Sequence, residues 1–293
     1  MKKFRTIEKA FKGSGFHMVG DGFRVSQYIS PGRETAERLS PFLLLDYHAP
    51  HYYEPSAVRR GVGAHPHRGF ETVTLAYEGK VEHHDNKGNH GVIGPGDVQW
   101  MTAASGVMHK EYHEEEFSKN GGVLHMVQLW VNLPKDQKMS EPKYQTLLKE
   151  NMGTLNLDDD KVELSIVSGE VNGVKGPAST FTDVNLYNIK LKNVGKITLN
   201  EPSDFNTAIL VLRGKVKIND EKNYVEDDFI LFDNVEGEIS VEGISEDSLI
   251  LVLSGKPIKE NVVSYGPFVM NTVDEIYEAY NDFENGKFGT MNF

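Results

Sequence analysis

Two pairs of potential metal ligands stand out in the first half of the chain. His65 and His67 are two residues apart in the stretch GAHPHRGFETVTLAYEG. His109 and Glu111 have the same spacing in the stretch GPGDVQWMTAASGVMHKEYHEE. Residues i and i+2 of a β-strand point to the same face, so two facing strands would bring the four side chains onto one cation. Imidazoles with one carboxylate suit iron, manganese, nickel, copper or zinc, and affinity alone does not select among these metals.

The combination of the two pairs is more informative than either pair alone. A lone His-x-His or His-x-Glu is more often a surface feature or part of a core than a metal site. Here both pairs lie on β segments about forty residues apart and flank a GPGD turn, which favours a metal centre. An octahedral metal with four protein ligands keeps two open positions, which can bind water, dioxygen or substrate oxygens.

Other side chains near these pairs compete for the same role. Glu71 shares the parity of the first histidine pair and is a rival to Glu111, although parity fails wherever a β-bulge intervenes. His113 shares the parity of Glu111, and we expect it at the rim. His83 and His84 are adjacent, so at most one of them faces inward, where we expect pocket lining rather than metal binding.

The histidines are confined to one part of the chain. All eleven lie at or before His125, and the rest of the chain has none. Any chemistry that needs imidazole must therefore take place in the N-terminal half.

The pattern of apolar residues predicts an all-β fold. Short β-rich runs separated by Gly, Asn and Asp turns recur in both halves, among them ETVTLAY, DVQWMT, HMVQLWVNL, AILVLRGKVKI, DFILF and SLILVLSG. The clearest helix is TVDEIYEAYNDFENG, where Thr272 and Glu275 form a capping box and Gly286 ends the helix. Its expected apolar stripe is Val273, Ile276, Tyr277, Tyr280 and Phe283.

A weak internal repeat predicts two similar β domains. Gly79-Lys80-Val81 aligns with Gly214-Lys215-Val216, and both copies read strand, Gly turn, strand, turn, Asp, strand. We place an N-terminal domain at residues 1–135, a linker at residues 136–150 around LPKDQKMSEPKYQ, and a C-terminal domain at residues 151–293. The second copy lacks the histidines, so only the first can hold this metal site.

Composition excludes several classes of protein. The net charge of −12 disfavours direct binding to nucleic acid, because phosphate neutralisation needs clustered Lys and Arg. No apolar run approaches the roughly 20 residues of a membrane span, and the basic N-terminus lacks the apolar segment of a secretory signal. With no cysteine, neither disulfides nor thiolate ligands are possible, and a cytoplasmic protein is the simplest expectation.

Longer motifs make the sequence resemble a known family. The two histidine-bearing stretches resemble the two signatures of the cupin superfamily. The fuller set HPHRGFETVT, HHDNKGN, GDVQWMTA, QLWVNLP and YGPFVMNT…DFENGKFG resembles the pirin family over essentially the whole chain. This resemblance implies a bicupin, with two cupin-type β-barrel (double-stranded β-helix) domains packed together and a few short helices, including a C-terminal one. It also implies a metal in the N-terminal domain only.

The resemblance also implies a ligand set. In pirins the metal is bound by both histidines of HPH and by the later His-x-Glu, which here are His65, His67, His109 and Glu111. This selects Glu111 over the rival carboxylate. The family commonly has a small residue between the last two ligands where this chain has Lys110, whose outward-facing side chain should be tolerated.

Some pirins are similar in activity to quercetin 2,3-dioxygenases, which open a flavonol ring with dioxygen and release carbon monoxide. The expected cofactor is one divalent metal, with iron(II) preferred and manganese, nickel, copper or zinc as alternatives. The expected partners are a small aromatic substrate and dioxygen, with Glu111 as the catalytic base that takes the 3-hydroxyl proton. Val73, Leu75, Trp100 and Met126 are candidates to line the pocket, with ordinary core packing as the alternative for each.

A second functional hypothesis is a binding module. Pirins in nuclei act as metal-dependent partners of transcription regulators. The resemblance therefore also implies a protein that senses the redox state of iron and presents a binding surface. An enzyme needs an open channel to the metal, whereas a sensor needs only a surface that changes with oxidation state. A sugar-modifying isomerase on the same fold is a third candidate, disfavoured by the motifs that span the whole chain. We expect a monomer, because a pair of domains within one chain can bury the surfaces that single cupins use to dimerise.

Overall fold

The computed structural model describes residues 3–291, and most of its regular structure is β-strand. The first twelve strands are β1 (Ile7–Phe11), β2 (His17–Val19), β3 (Phe23–Ile29), β4 (Phe42–Tyr53), β5 (Gly61–His67), β6 (Phe70–Glu78), β7 (Val81–Asp85), β8 (His90–Ile93), β9 (Val98–Thr102), β10 (Val107–His113), β11 (Gly122–Asn132) and β12 (Lys143–Leu147). The remaining strands are β13 (Gly153–Leu157), β14 (Val162–Ser168), β15 (Glu170–Val171), β16 (Val174–Lys175), β17 (Val184–Leu191), β18 (Lys196–Leu199), β19 (Asn206–Arg213), β20 (Lys215–Ile218), β21 (Lys222–Val225), β22 (Phe229–Phe232), β23 (Ile239–Gly243), β24 (Ser248–Gly255), β25 (Val263–Tyr265) and β26 (Phe268–Met270). The all-β prediction is confirmed.

Helices are few and short. The α-helices of the described residues are α1 (Glu34–Arg38), α2 (Glu115–Asn120) and α3 (Val273–Glu284), and 3-10 turns cover Lys135–Gln137 and Lys149–Asn151. Within residues 3–291, no helix has the length and apolar character that crossing a membrane requires.

Two compact units make up the described chain, and neither is a continuous range. The histidine unit comprises Ser14–Glu37, Pro41–Lys149 and residues 258–291. The second unit comprises residues 3–13, Arg38–Ser40 and Glu150–Pro257. These units differ at both chain ends from the ranges 1–135, 136–150 and 151–293 expected from sequence. Strand β1 pairs with β22 in the second unit, and α3 packs on β25 and β26 in the histidine unit.

The segment expected to be a linker is structured. Residues 143–147 form strand β12, which pairs antiparallel with β9 at the edge of a sheet in the histidine unit. The polar composition and two prolines of residues 134–142 suggested a boundary, but this pairing with a strand forty residues earlier is not visible in local composition.

Each unit is built from the same pair of sheets. The histidine unit has a seven-stranded sheet in the order β12-β9-β6-β11-β4-β3-β2 and a four-stranded sheet in the order β5-β10-β7-β8. The second unit has a seven-stranded sheet in the order β1-β22-β19-β24-β17-β14-β13 and a four-stranded sheet in the order β18-β23-β20-β21. The repeat seen in the sequence therefore corresponds to one topology built twice, except at one sheet edge, which is β12 in the histidine unit and the N-terminal β1 in the second unit.

In the second unit, the strands that correspond to β5 and β10 carry apolar side chains instead of histidines. Strand β18 pairs with β23, and their buried residues Ile197, Leu199, Ile239 and Val241 belong to one hydrophobic cluster. Burying such side chains stabilises a fold by roughly 1.5–3 kcal/mol each relative to exposure. The second copy of the fold is held by this core without any imidazole.

Helix α3 has the predicted cap but a different buried face. The capping box is present, with Thr272 Oγ1 accepting from the Glu275 amide at 3.2 Å and the Glu275 carboxylate accepting from the Thr272 amide at 2.9 Å. Three of the five members of the expected apolar stripe are exposed, Val273 at 55%, Tyr277 at 65% and Phe283 at 36%. The buried face is instead formed by Ile276, Ala279 and Asp282. Hydropathy could not predict a buried carboxylate.

Asp282 is buried because it pairs with the arginine that follows the histidine pair. Both terminal nitrogens of Arg68 lie 3.0 Å from Asp282 Oδ2, and Arg68 Nε donates to the Ser105 carbonyl at 2.7 Å. The guanidinium also lies over the Phe288 ring, 4.6 Å from its centroid. The C-terminal segment thereby fixes the end of strand β5, which carries the histidines.

The next residue in this corner has to be glycine. Gly69 has a φ of +90°, and a Cβ atom there would lie 1.9 Å from the Val269 carbonyl oxygen. The buried Lys138 ammonium donates to the carbonyls of Gly69 at 2.7 Å and Val269 at 3.1 Å, and to Asn132 Oδ1 at 2.6 Å. The corner between β5 and β6 is therefore held from both sides.

Replacing Asp282 tests this arrangement. Asp282→Ala leaves the Arg68 guanidinium buried without its carboxylate, and we expect it to lower the free energy of unfolding by about 3 kcal/mol. Urea unfolding followed by tryptophan fluorescence reports on the histidine unit, because Trp100 and Trp130 both lie there. Glu278→Ala, on the exposed side of the same helix, should change stability by less than about 0.5 kcal/mol. Equal losses in the two variants would contradict the assignment.

Candidate metal centre

Antiparallel pairing of β5 with β10 brings the two predicted ligand pairs together. His65 lies directly opposite His109, and His67 lies opposite Val107. On β10 the side chains alternate, with His109, Glu111 and His113 buried and the residues between them partly exposed. A register shift between His109 and Glu111 marks an irregularity in β5, yet both residues keep regular pairing with β7 on the other side.

Three of the predicted ligands form a compact group. One ring nitrogen each from His65, His67 and His109 lies within 4.8 Å of the others. The ring centroids of His65 and His109 are 4.2 Å apart, and that of His67 lies 4.8 Å from each. His67 and His109 are buried, whereas His65 is partly exposed and gives the group an open side.

The Nδ1 atoms of His65 and His67 contact backbone carbonyls, which leaves the Nε2 atoms of these rings available to a metal. His65 Nδ1 contacts the Gly63 carbonyl at 2.8 Å, and His67 Nδ1 contacts the Pro267 carbonyl at 3.4 Å. A carbonyl can only accept, so each contact favours the tautomer that carries its proton on Nδ1. The Nε2 lone pairs of both rings are then available, as they are in metal-bound histidines.

His83 performs the same task for His109. His83 Nε2 lies 3.0 Å from His109 Nδ1, and His109 Nε2 is buried with no hydrogen-bond partner. When His109 donates from Nδ1 to His83, its unpartnered Nε2 presents a lone pair to the group. A buried polar atom without a partner is costly, and a bound cation would remove that cost.

Burial keeps these imidazoles neutral. It lowers the pKa of His67 and His109 well below 6.5, and the neighbouring histidines lower both further. Burial likewise lowers the pKa of His65, against the opposing effect of the Gly63 carbonyl. Neutral imidazole is the form that binds metal, so no proton has to be displaced at pH 7.

Glu111 supplies a carboxylate on the same face of β10. Glu111 is not one of the side chains in the histidine cluster, whose three ligand atoms lie within 4.8 Å of one another. Its Oε1 atom is buried without a hydrogen-bond partner, and burial raises the pKa of Glu111 to about 7, against a lowering by the Thr74 hydroxyl. A cation nearby would favour the ionised carboxylate and satisfy this oxygen. The donor set thus fits a divalent transition metal.

The structure separates Glu71 from this group. On β6 the Phe70 ring lies 5.0 Å from the His67 ring, and Thr74 neighbours Glu111, so the even-numbered residues face the site. Glu71 is on the opposite face, where it accepts a hydrogen bond from Thr102 Oγ1 at 2.7 Å. The left-handed Gly69 breaks the alternation that made Glu71 a rival.

Two further expectations are corrected. His113 is buried rather than at a rim, because its Nε2 bonds the Gly22 carbonyl at 2.8 Å and its ring packs on Tyr53. Three of the four candidate lining residues lie on the face of the β6–β9 pair that is turned away from the site. These are Val73, Leu75 and Trp100. Met126 lies on the inner side but packs in a hydrophobic cluster.

Aromatic neighbours of the site were missed by the sequence reasoning. The Trp130 ring lies 5.2 Å from His67 and 4.2 Å from Phe70, forming an aromatic wall beside the group. The Tyr144 ring stacks on His83 at 5.1 Å with an interplanar angle of 14°. His83 is the inward-facing member of the adjacent pair named from sequence, whereas Tyr144 reaches the site only through the pairing of β12 with β9.

Comparison with known proteins places this chain among the pirins. A family model described as Pirin matches residues 22–131, and one described as Pirin C-terminal cupin domain matches residues 186–289. The chain is 47% identical, over 93% of its length and 94% of the relative, to a Pseudomonas aeruginosa protein whose name assigns it provisionally as a quercetin 2,3-dioxygenase. It is 36% identical to Pirin-like protein 2 of Arabidopsis thaliana, over 97% of this chain and 85% of the relative.

A solved structure is similar over the full length. The crystal structure of a quercetin 2,3-dioxygenase from Acinetobacter baumannii superposes with a TM-score of 0.93 at 44% identity, covering 99% of this chain and 100% of the other. The predicted fold class of two cupin domains is confirmed by this similarity and by the two family models.

Removing the neighbour of His109 tests how that ring is oriented. We expect His83→Leu to lower metal affinity by about 10–100-fold, because His109 loses the acceptor that fixes its tautomer. His83→Gln, whose amide oxygen can accept from Nδ1, should recover much of this loss. Affinity for iron(II) is measured anaerobically by competition with a chromophoric chelator. If both variants lose the same affinity, His83 serves only to pack the site.

Proposed function

The chain belongs to the pirin family, and we propose that it is a metal-dependent dioxygenase that opens a flavonol ring of the quercetin type with dioxygen. The observation that carries this proposal is the group of three neutral imidazoles beside a buried carboxylate with an unpartnered oxygen. The similarity to proteins named as quercetin 2,3-dioxygenases supports the same reaction class.

His65, His67, His109 and Glu111 are proposed to hold one divalent metal. Iron(II) is the preferred metal, and the same donors suit manganese, nickel, copper and zinc. When bound, the metal supplies a Lewis acid at which a deprotonated 3-hydroxyl of the substrate and dioxygen can meet.

Glu111 is proposed as the base that takes the 3-hydroxyl proton once its carboxylate detaches in part from the metal. In the metal-free site burial raises the pKa of Glu111 to about 7, so a carboxylate released from the metal is a stronger proton acceptor than an exposed glutamate. Thr74 Oγ1 lies 2.8 Å from Gln128 Oε1. While it donates there, the hydroxyl oxygen can still accept a hydrogen bond from Glu111 once Glu111 is protonated.

The aromatic wall formed by Phe70 and Trp130 provides a surface for a flat ring. Phe70 is fully buried, whereas Trp130 is partly exposed, so part of the wall is accessible. Aromatic rings beside His67 would pack against a polycyclic substrate and exclude water from its reacting carbon atoms. This placement suits a flavonol better than a sugar, whose hydroxyl groups need hydrogen-bonding partners.

Loss of an imidazole should abolish both metal binding and turnover. We expect His109→Ala, and independently His67→Ala, to lose most bound metal and to reduce quercetin cleavage by at least 100-fold. Each protein is reconstituted anaerobically with iron(II), analysed for metal, and assayed for oxygen uptake and carbon monoxide release. His17→Ala, an exposed strand histidine, is the control. Full metal content in both His109→Ala and His67→Ala would exclude the assignment.

The neutral isostere of the base should separate chemistry from folding. We expect Glu111→Gln to lower kcat by about 100-fold or more, the contribution of a positioned base. In metal-free protein the folded-state pKa of about 7 lies above the ordinary 4.5, so wild type loses stability as pH rises through this range. Glu111→Gln should show a smaller loss, the remainder coming from Glu71 and Asp46, whose pKa values burial raises to about 7 and about 6. Undiminished turnover would assign the base elsewhere.

The same assay distinguishes the second hypothesis. Stoichiometric iron without cleavage of quercetin would favour a redox-responsive protein-binding module. Turnover that disappears in His109→Ala would favour the dioxygenase.

A further inference from the structure

A second group of metal-binding side chains lies on the outer face of the β7–β8 hairpin. His84 and His90 are directly opposite each other on the paired strands, and their rings stack at 4.3 Å with an interplanar angle of 26°. Glu82 precedes His84 by two residues and shares its face. One ligand atom from each of the three lies within 4.8 Å of the others.

Both imidazoles point to one oxygen of Glu82. His84 Nε2 lies 2.7 Å and His90 Nε2 lies 3.1 Å from Glu82 Oε1. The other oxygen, Oε2, accepts from Arg59 Nη2 at 2.5 Å, and Arg59 Nε in turn donates to the His113 carbonyl at 3.1 Å. The Arg59 guanidinium contacts both the His113 carbonyl and Glu82 Oε2. This holds the Glu82 carboxylate in an orientation in which Oε1 is directed at the histidines.

The turn between the two strands sets their spacing without any ligand. Asp85 Oδ1 accepts from the amides of Lys87 and Asn89, both at 2.9 Å, and Asp85 Oδ2 accepts from Asn89 Nδ2 at 2.7 Å. The Asp85 amide donates to the Asn89 carbonyl at 3.0 Å. His84 and His90 flank this turn, so their backbone positions are defined before a metal binds.

We propose that Glu82, His84 and His90 form a second divalent-metal site, separate from the buried centre and open to solvent. Two imidazoles and one carboxylate are the donors that zinc, nickel and copper bind, and the exposed side leaves positions for water. The side chains of His84 and His90 are 34% and 55% exposed, so an ion can enter without a change in the fold.

Neighbouring positively charged side chains should lower the metal affinity of the outer site relative to the buried one. Arg59 is bound to the ligand carboxylate, and Lys110 lies opposite His84 on the adjacent strand β10. Both charges oppose a bound cation, and solvent screens them only in part. The outer site should therefore bind more weakly than the buried one and fill second.

Zinc(II) is the probe. The full-length chain is freed of metal, dialysed against buffered zinc and analysed by mass spectrometry for zinc per chain. We expect His90→Ala and Glu82→Gln each to bind one zinc fewer than wild type, whatever the occupancy of the buried site. Both substitutions are on the surface of a hairpin, and circular dichroism confirms folding. His17→Ala should bind as much zinc as wild type.

Unchanged zinc content in His90→Ala would overturn the proposal, as would an equal loss in His17→Ala. Because the measurement is a difference in zinc between surface variants, it does not depend on quercetin turnover. Failure of the dioxygenase assay would leave this result intact, and failure here would leave the dioxygenase proposal intact.

Discussion

The pairing of His65 with His109 across strands β5 and β10 is the constraint on which the site depends. Side chains alternate along a strand, so a slip of one residue would turn every ligand on β5 to the other face. The register is fixed at the end of β5, where Arg68 reaches Asp282 and Ser105 and where Gly69 turns the chain in a left-handed conformation. A C-terminal helix that supplies no ligand thereby determines where one strand of the site ends.

The second unit shows which part of this architecture is fold and which part is site. Apart from one edge strand, it repeats the seven-stranded and four-stranded sheets in the same order, but its corresponding strands β18 and β23 bury Ile197, Leu199, Ile239 and Val241. An apolar core is thus sufficient for the topology, and the imidazoles are an addition to it. In the histidine unit the corresponding strands β5 and β10 carry polar rings whose burial is compensated by carbonyl and imidazole partners rather than by packing alone.

How far the sequence could lead depended on the range of each interaction. Strand parity predicted that the two members of each ligand pair share a face, and the capping box predicted the start of α3, because both are local. The burial of Asp282 and the place of β12 depend on partners more than thirty residues away, which a local pattern does not contain. Glu71 was a reasonable rival by parity, and only the backbone of Gly69 turns it to the opposite face. The resemblance to pirins selected Glu111 for a reason that parity could not supply.

Strand β7 shows how burial determines what a histidine can do. His83 faces inward, where burial lowers its pKa to about 3, so at neutral pH it serves as a neutral hydrogen-bond partner of His109. Its neighbour His84 faces outward, beside a carboxylate and within reach of solvent. The same residue type in adjacent positions thus contributes to an ordered inner centre and to an open outer group. Alternation along five residues of one strand is sufficient to place them there, since the two faces of the sheet have different solvent exposure.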